Sequence, residues 1–177
     1  MEIEVVSELI EQYGTEVMIF CRRLTGCVPD AQDLYQQTFL KLMEMRVKIE
    51  REKNPRAFVF AVANSIWKNE RRKLMRRALL APTFSLEDAQ GQDAFELPDI
   101  EDTQQQVMER ICRQQLSAAV QRLEPKFRTP VLLMYGFGMS VEQIAQIERV
   151  PKGTIKSRLN RAKKKLRKEM EAYGYGE

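Results

Sequence analysis

Histidine is absent from all 177 residues, which removes the commonest general base and the commonest metal ligand. Cysteine is scarce: Cys21, Cys27 and Cys112 cannot all pair, and none stands in a Cys-x-x-Cys. A four-ligand zinc site is therefore not expected, and the three residues read as buried or half-buried thiols in a reducing compartment. The 8 glycines and 7 prolines are too few for a fibrous or wholly disordered chain. No apolar run approaches the ~20 residues of a membrane-spanning helix. The opening Met1-Glu2-Ile3-Glu4 is acidic and already amphipathic, unlike a signal peptide. No membrane insertion and a cytoplasmic location are expected. No segment alternates convincingly with period two, which argues against strands.

With 44% hydrophobic residues there is material for one ordinary domain or two small ones. The net charge of +4 hides a strong segregation. Residues 1–45 sum to −5, residues 46–77 to +8, and residues 78–109 hold 8 acids and no basic residue. Residues 110–148 sit near balance at +2, residues 149–168 carry 10 basic residues and no acid, and the last nine add −3. Two basic blocks separated by an acidic one point to a polyanionic partner.

Apolar residues at helical steps (Val6, Leu9, Ile10, Tyr13, Val17, Phe20, Leu24) predict a helix over residues 2–24, ended by Gly26. Pro29 leads into Asp30, which reads as the N-cap of a second helix reaching about Val47. That helix should bury Leu34, Thr38, Leu42 and Met45, with Tyr35, Phe39 and Met43 beside them. Asn54-Pro55 restarts a helix, Asn as cap and Pro in the first turn. Its run Ala57–Ala63 is apolar all round and belongs in a core; from Lys68 to Arg77 it turns basic.

Residues 79–102 lose periodicity, carry Pro82, Gly91 and Pro98 among acids, and read as a flexible linker. Asp99, Glu101 and Asp102 could suggest a metal site, which an acidic linker explains more simply. Helical pattern resumes near Thr103, with Met108, Ile111, Cys112, Leu116, Ala119, Val120 and Leu123 on one stripe. Pro125 and Pro130 bracket the entry to the next helix, which ends at Gly136 or Gly138. The fold class is all-α: two small helical domains joined by an acidic flexible linker.

Ser140-x-x-Gln143 is a capping box opening a short helix with Val141, Ile144, Ala145 and Ile147. After a turn at Glu148–Val150, Pro151 can occupy the first position of a helix reaching about Met170. Ile155, Leu159, Ala162 and Leu166 point inward and leave Lys152, Thr154, Lys156, Ser157, Arg158, Asn160 and Arg161 outward. Arg and Lys match guanine edges, Asn matches adenine, and Thr can reach an edge or a phosphate. The pair forms a helix-turn-helix whose second helix suits a major groove.

At these residues the chain resembles the extracytoplasmic-function sigma factors of bacterial RNA polymerase. Leu123–Arg128, Met139–Ala145 and Gly153-Thr154-Ile155-Lys156-Ser157-Arg158-Leu159-Asn160-Arg161-Ala162 are similar to their domain 4. Asp30–Leu42 and Pro55–Asn64 followed by Arg71-Arg72 are similar to their domain 2. The resemblance implies domain 2 over 1–80, a linker over 81–104 and domain 4 over 105–177. It implies core RNA polymerase and promoter DNA as partners, no cofactor, no metal and no catalytic residue. Asp30, Asp33, Gln36 and Gln37 would face the polymerase clamp. Asn64, Trp67, Lys68, Asn69, Arg71 and Arg72 would lie at the single-stranded −10 element, although Trp67 also fits a core position. Lys152 to Arg161 would read the duplex −35 element. The resemblance also admits an anti-sigma factor covering both lobes.

Three departures stand out. Gln37 replaces a usual Glu, Pro151 a Ser-like cap, and Glu148-Arg149 an apolar residue followed by Gly. Arg149 thus implies either a reshaped turn or a tolerated strain on the order of 1 kcal/mol. The acidic linker could compete with DNA for the basic surfaces until polymerase takes it. A homodimeric helix-turn-helix regulator is the alternative, but it leaves the first basic block without a role. A nuclease or recombinase would need a clustered acid set or an activated nucleophile that the sequence does not offer.

Overall fold

A computed structural model describes residues 3–45, 54–80 and 104–175. Helix α1 (Ile3–Thr25) buries Val6, Leu9, Val17, Phe20 and Leu24, and Gly26 ends it at φ 84°. Gly14 lets α2 approach: a Cβ there would stand 2.9 Å from Tyr35 Oη. Helix α2 (Val28–Glu44) begins earlier than expected, with extended Cys27 as its N-cap and Asp30 within the first turn. Pro29 explains the shift, because its preset φ and missing N–H suit the first turn itself. Ala31, Leu34, Thr38, Phe39 and Leu42 are buried; Met43 is exposed and Met45 half-buried. Met45 closes α2 in an extended conformation, and Val47 lies outside the described residues.

Helix α3 (Pro55–Leu80) starts where Asn54 Oδ1 accepts the Ala57 N–H at 3.1 Å. Its first half supplies Ala57, Val59, Phe60, Val62 and Ala63 to the core, and its second half is mostly exposed. Residues 79 and 80 are still helical, and the rest of the expected linker, through residue 103, lies outside the described residues.

Helix α4 (Gln104–Arg122) carries the expected stripe, but only its C-terminal end is covered. Ala119 and Leu123 are buried, whereas Met108, Ile111 and Leu116 stay exposed. Helix α5 (Pro125–Val131) has Pro125 in its first turn and contains Pro130, which therefore does not mark the entry to a later helix. Pro130 is the sixth residue of α5, where its fixed φ is compatible with the helix while its ring removes one N–H donor. A π turn, Leu132–Gly136, follows, then α6 (Val141–Glu148) and α7 (Lys152–Ala172). Among the described residues there is no strand.

The two halves of the chain close on each other. α3 packs on α6, and the buried residues of α1–α3 and α5–α7 form one continuous cluster. Phe137, just past the π turn, packs against the touching rings of Phe20 and Phe60, with ring centroids 5.6 and 5.0 Å away. Around this contact, Arg56 donates to Glu16 at 2.7 Å and to the Phe137 carbonyl at 2.8 Å. Gln121 donates to the Arg23 carbonyl at 2.8 Å. Arg128 reaches the carbonyls of Leu24, Leu123 and Gln121, closing the C-terminal end of α1 with a side chain from α5. Burial, and after it Arg71, pushes the Arg128 guanidinium down to about 10.

Candidate nucleic-acid interface

The helix-turn-helix is fixed by local hydrogen bonds. Ser140 Oγ accepts the Gln143 N–H at 3.2 Å, and Gln143 Oε1 accepts the Ser140 N–H at 2.9 Å, completing the capping box. Arg149 takes the left-handed conformation, φ 55° and ψ 48°, so the turn keeps its shape and bears the strain. The Val150 N–H then reaches the Ala145 carbonyl at 3.1 Å, which satisfies an orphan acceptor at the end of α6. Pro151 is the N-cap of α7, not its first helical residue. Its extended backbone aims the carbonyl at the N–H groups of Thr154 and Ile155, 2.9 and 3.3 Å away. Across the turn Lys152 pairs with Glu142 at 3.0 Å and holds the Glu142 carboxyl below its ordinary value.

Burial of Ile155, Leu159 and Ala162 sets the face that α7 offers. Lys152, Lys156, Ser157, Asn160 and Arg161 are exposed, and Thr154 and Arg158 are half-buried. Further along, Lys165 pairs with Glu124 at 2.8 Å.

The first basic block divides differently. Asn69 and Arg72 are exposed, and Lys68 and Arg71 half-buried. Trp67 is only 6% exposed and Asn64 only 1%. The Arg71 guanidinium lies over the Trp67 ring, 5.4 Å from its centroid. In this arrangement neither Asn64 nor Trp67 offers a face to an unstacked base. They lie on the inward side of α3, where α6 covers Asn64.

Glu148 explains where Asn64 points. Its side chain is 1% exposed, and Oε1 accepts from Asn64 Nδ2 at 3.0 Å. Oε2 accepts from Lys68 Nζ at 2.8 Å and from Arg158 Nη1 at 3.0 Å. Three residues assigned to two different DNA elements thus converge on one carboxylate. Such charge-assisted bonds are the strong ones, and a buried carboxylate requires them. Sequence reasoning marked Glu148 only as a departure at a turn. The available signal was that it immediately precedes ten basic residues with no acid among them.

Asp30, Asp33, Gln36 and Gln37 all lie exposed along α2. Beside them Gln37, Leu40, Ile66, Asn69, Arg72 and Met75 help line an open groove of about 900 Å³ between α2 and α3. Among the described residues no group of three or more Cys, Asp or Glu could hold a metal ion, and no helix is long and apolar enough to cross a membrane. Asp99, Glu101 and Asp102 lie outside the described residues. No disulfide joins Cys21, Cys27 or Cys112; burial pushes the Cys21 thiol up to about 12.

Two known family models match the chain. Residues 9–77 match Sigma-70 region 2, and residues 113–166 match Sigma-70 region 4. The ECF RNA polymerase sigma factor SigL of Mycobacterium tuberculosis (strain ATCC 25618 / H37Rv) is 28% identical over 98% of this chain and 93% of its own length. The ECF RNA polymerase sigma factor SigW of Bacillus subtilis (strain 168) is 20% identical over 93% of this chain and 88% of its own. The fold is that of the sigma factor RpoE in its complex with the anti-sigma factor NepR from Bartonella quintana, with TM-score 0.75 and 21% identity. That likeness covers 96% of this chain and 98% of the other. CnrH, solved with the cytosolic domain of CnrY, follows at TM-score 0.63 and 18% identity, over 97% of this chain and 90% of that one. The chain belongs to the ECF sigma factors of RNA polymerase.

Proposed function

We propose that this chain brings core RNA polymerase to a two-part promoter and helps open the −10 region, without performing covalent chemistry, in the cytoplasm. In this reading residues 1–80 act as domain 2, residues 81–104 as the linker and residues 105–177 as domain 4. Asp30, Asp33, Gln36 and Gln37 meet the polymerase. Lys68, Asn69, Arg71 and Arg72 follow the −10 strand, and Asn64 and Trp67 join them once α6 moves away. Lys152, Thr154, Lys156, Ser157, Arg158, Asn160 and Arg161 read the −35 duplex. The observation that carries this is the pairing of a region 2 match with a region 4 match in one chain, each ending in a basic helix. The homodimeric regulator is not favoured, because it gives the basic half of α3 nothing to bind. The RpoE and CnrH structures are each complexes with a second protein, one of them named an anti-sigma factor, which supports a similar partner here.

Transcription reconstituted from core polymerase, this protein and fragments of its own genome tests the reading. Promoter-dependent transcripts are expected, and their absence where another sigma factor works would refute it. Changing both Arg158 and Arg161 to Ala should weaken promoter binding and flatten its salt dependence while core binding persists. Equal loss of core binding would show that α7 had been misassigned.

A further inference from the structure

Glu148 sits where a carboxylate is least welcome. It ends α6, where the helix dipole is negative, and its side chain is almost fully withdrawn from water. What compensates it comes from both sides of the lobe contact: Asn64 and Lys68 from α3, and Arg158 from α7. Asn64 is 1% exposed, and its Oδ1 is buried without a hydrogen-bond partner, so its amide is committed to Glu148 alone. The neighbouring acids are spoken for: Glu142 pairs with Lys152 and Glu124 with Lys126 and Lys165.

We propose that Glu148 is an internal latch, a carboxylate that occupies in the closed protein the donors that promoter DNA takes in the open one. The proposal rests on the sigma-factor reading for the identity of the competing ligand. A donor bonded to Glu148 cannot at the same time serve a phosphate or a base, so closure and DNA contact exclude each other at three residues. One side chain thereby silences the −10 and −35 surfaces together. When the lobes part, Asn64 and Lys68 separate from Glu148, and Arg158, on the same side of the contact, is left in a water-exposed ion pair that is worth little and that DNA phosphates displace. This assigns to a folded residue the masking that the acid-rich segment 81–104 would otherwise perform.

The test is Glu148→Gln, which keeps the shape and removes the charge. Small-angle scattering of the free protein should show a larger radius of gyration. Fluorescence anisotropy on a labelled promoter fragment without polymerase should show affinity increased roughly tenfold, the size expected when a charged hydrogen-bond set is lost from the closed state alone. Lys68→Gln breaks the same contact from the other lobe at a half-exposed position. It should expand the protein similarly, and it supplies the scattering readout should Glu148→Gln not fold. Unchanged scattering in a folded variant, or unchanged DNA affinity in folded Glu148→Gln, overturns the latch. If the wild type supports promoter-dependent transcription in that case, the sigma-factor reading stands without it. If instead both variants expand and Glu148→Gln binds DNA more tightly while no form supports transcription, the latch stands and the sigma-factor reading falls.

Discussion

Phe137 offers the cleanest perturbation of the contact between lobes. Its ring belongs to the C-terminal half yet meets Phe60 at 5.0 Å and Phe20 at 5.6 Å, the latter nearly edge-on at 88°. Phe137 is 8% exposed, and its two partners are fully buried. Truncating a buried Phe to Ala costs about 3–5 kcal/mol, of which the two ring pairs account for about 1–3 kcal/mol. Because the ring comes from the C-terminal half and both partners from the N-terminal half, most of that loss falls on the coupling between lobes. A loss of about 3 kcal/mol shifts the docking equilibrium by roughly a hundredfold. The protein carries its own reporter: Trp67, the single tryptophan, sits in α3 of the N-terminal half. In urea, wild-type unfolding followed by Trp67 fluorescence and by far-ultraviolet circular dichroism should coincide. In Phe137→Ala the two curves should separate, with one half unfolding at lower denaturant than the other. Coincident curves with a stability change below about 1 kcal/mol would refute the idea that this ring joins the lobes.

Other expectations can be checked on the same protein. Arg149→Gly should raise stability by about 0.5–1 kcal/mol, because glycine accepts φ 55° without a Cβ penalty; a lower thermal midpoint would contradict it. Cys21, buried and with its thiol pushed up to about 12, should resist a thiol reagent near neutral pH in the native state. Cys27 and Cys112 should react first, and three equally fast thiols would be the contrary result. Glu124 between Lys126 and Lys165 is held down to about 2 from an ordinary 4.5. Its folded value lies below its unfolded one, so its stabilisation is present above about 4.5 and disappears as pH falls towards 2. A carboxyl titration of the native protein placing Glu124 near 4.5 would count against these ion pairs.

Much of the fold was legible because it is local. The capping box at Ser140, the cap at Asn54 and the stop at Gly26 each act over a few residues, and all three hold. The start of α2 was read three residues late, because Pro29 took the first turn that Asp30 was expected to open. Pro130 departs from expectation for a related reason: proline reads as a boundary, yet its fixed φ is helical and it stands inside α5 at the cost of one N–H donor. The stripe on α4 was correctly periodic, yet periodicity states which residues align and not what covers them. Met108, Ile111 and Leu116 accordingly align and remain exposed.

The candidate site divides along the same line. By itself the sequence determined the helical class, the helix-turn-helix, the two basic blocks and their resemblance to sigma domains 2 and 4. Those features rest on spacing, composition and charge along one segment at a time. Tertiary structure alone decided that Phe137 reaches Phe20 and Phe60, and that Glu148 gathers Asn64, Lys68 and Arg158 from two helices up to 84 residues away. No local rule announces such a meeting. A carboxylate at the end of α6 is locally unfavourable, and the lobe that closes over it adds Asn64 and Lys68 to Arg158 of its own lobe to make its burial stable.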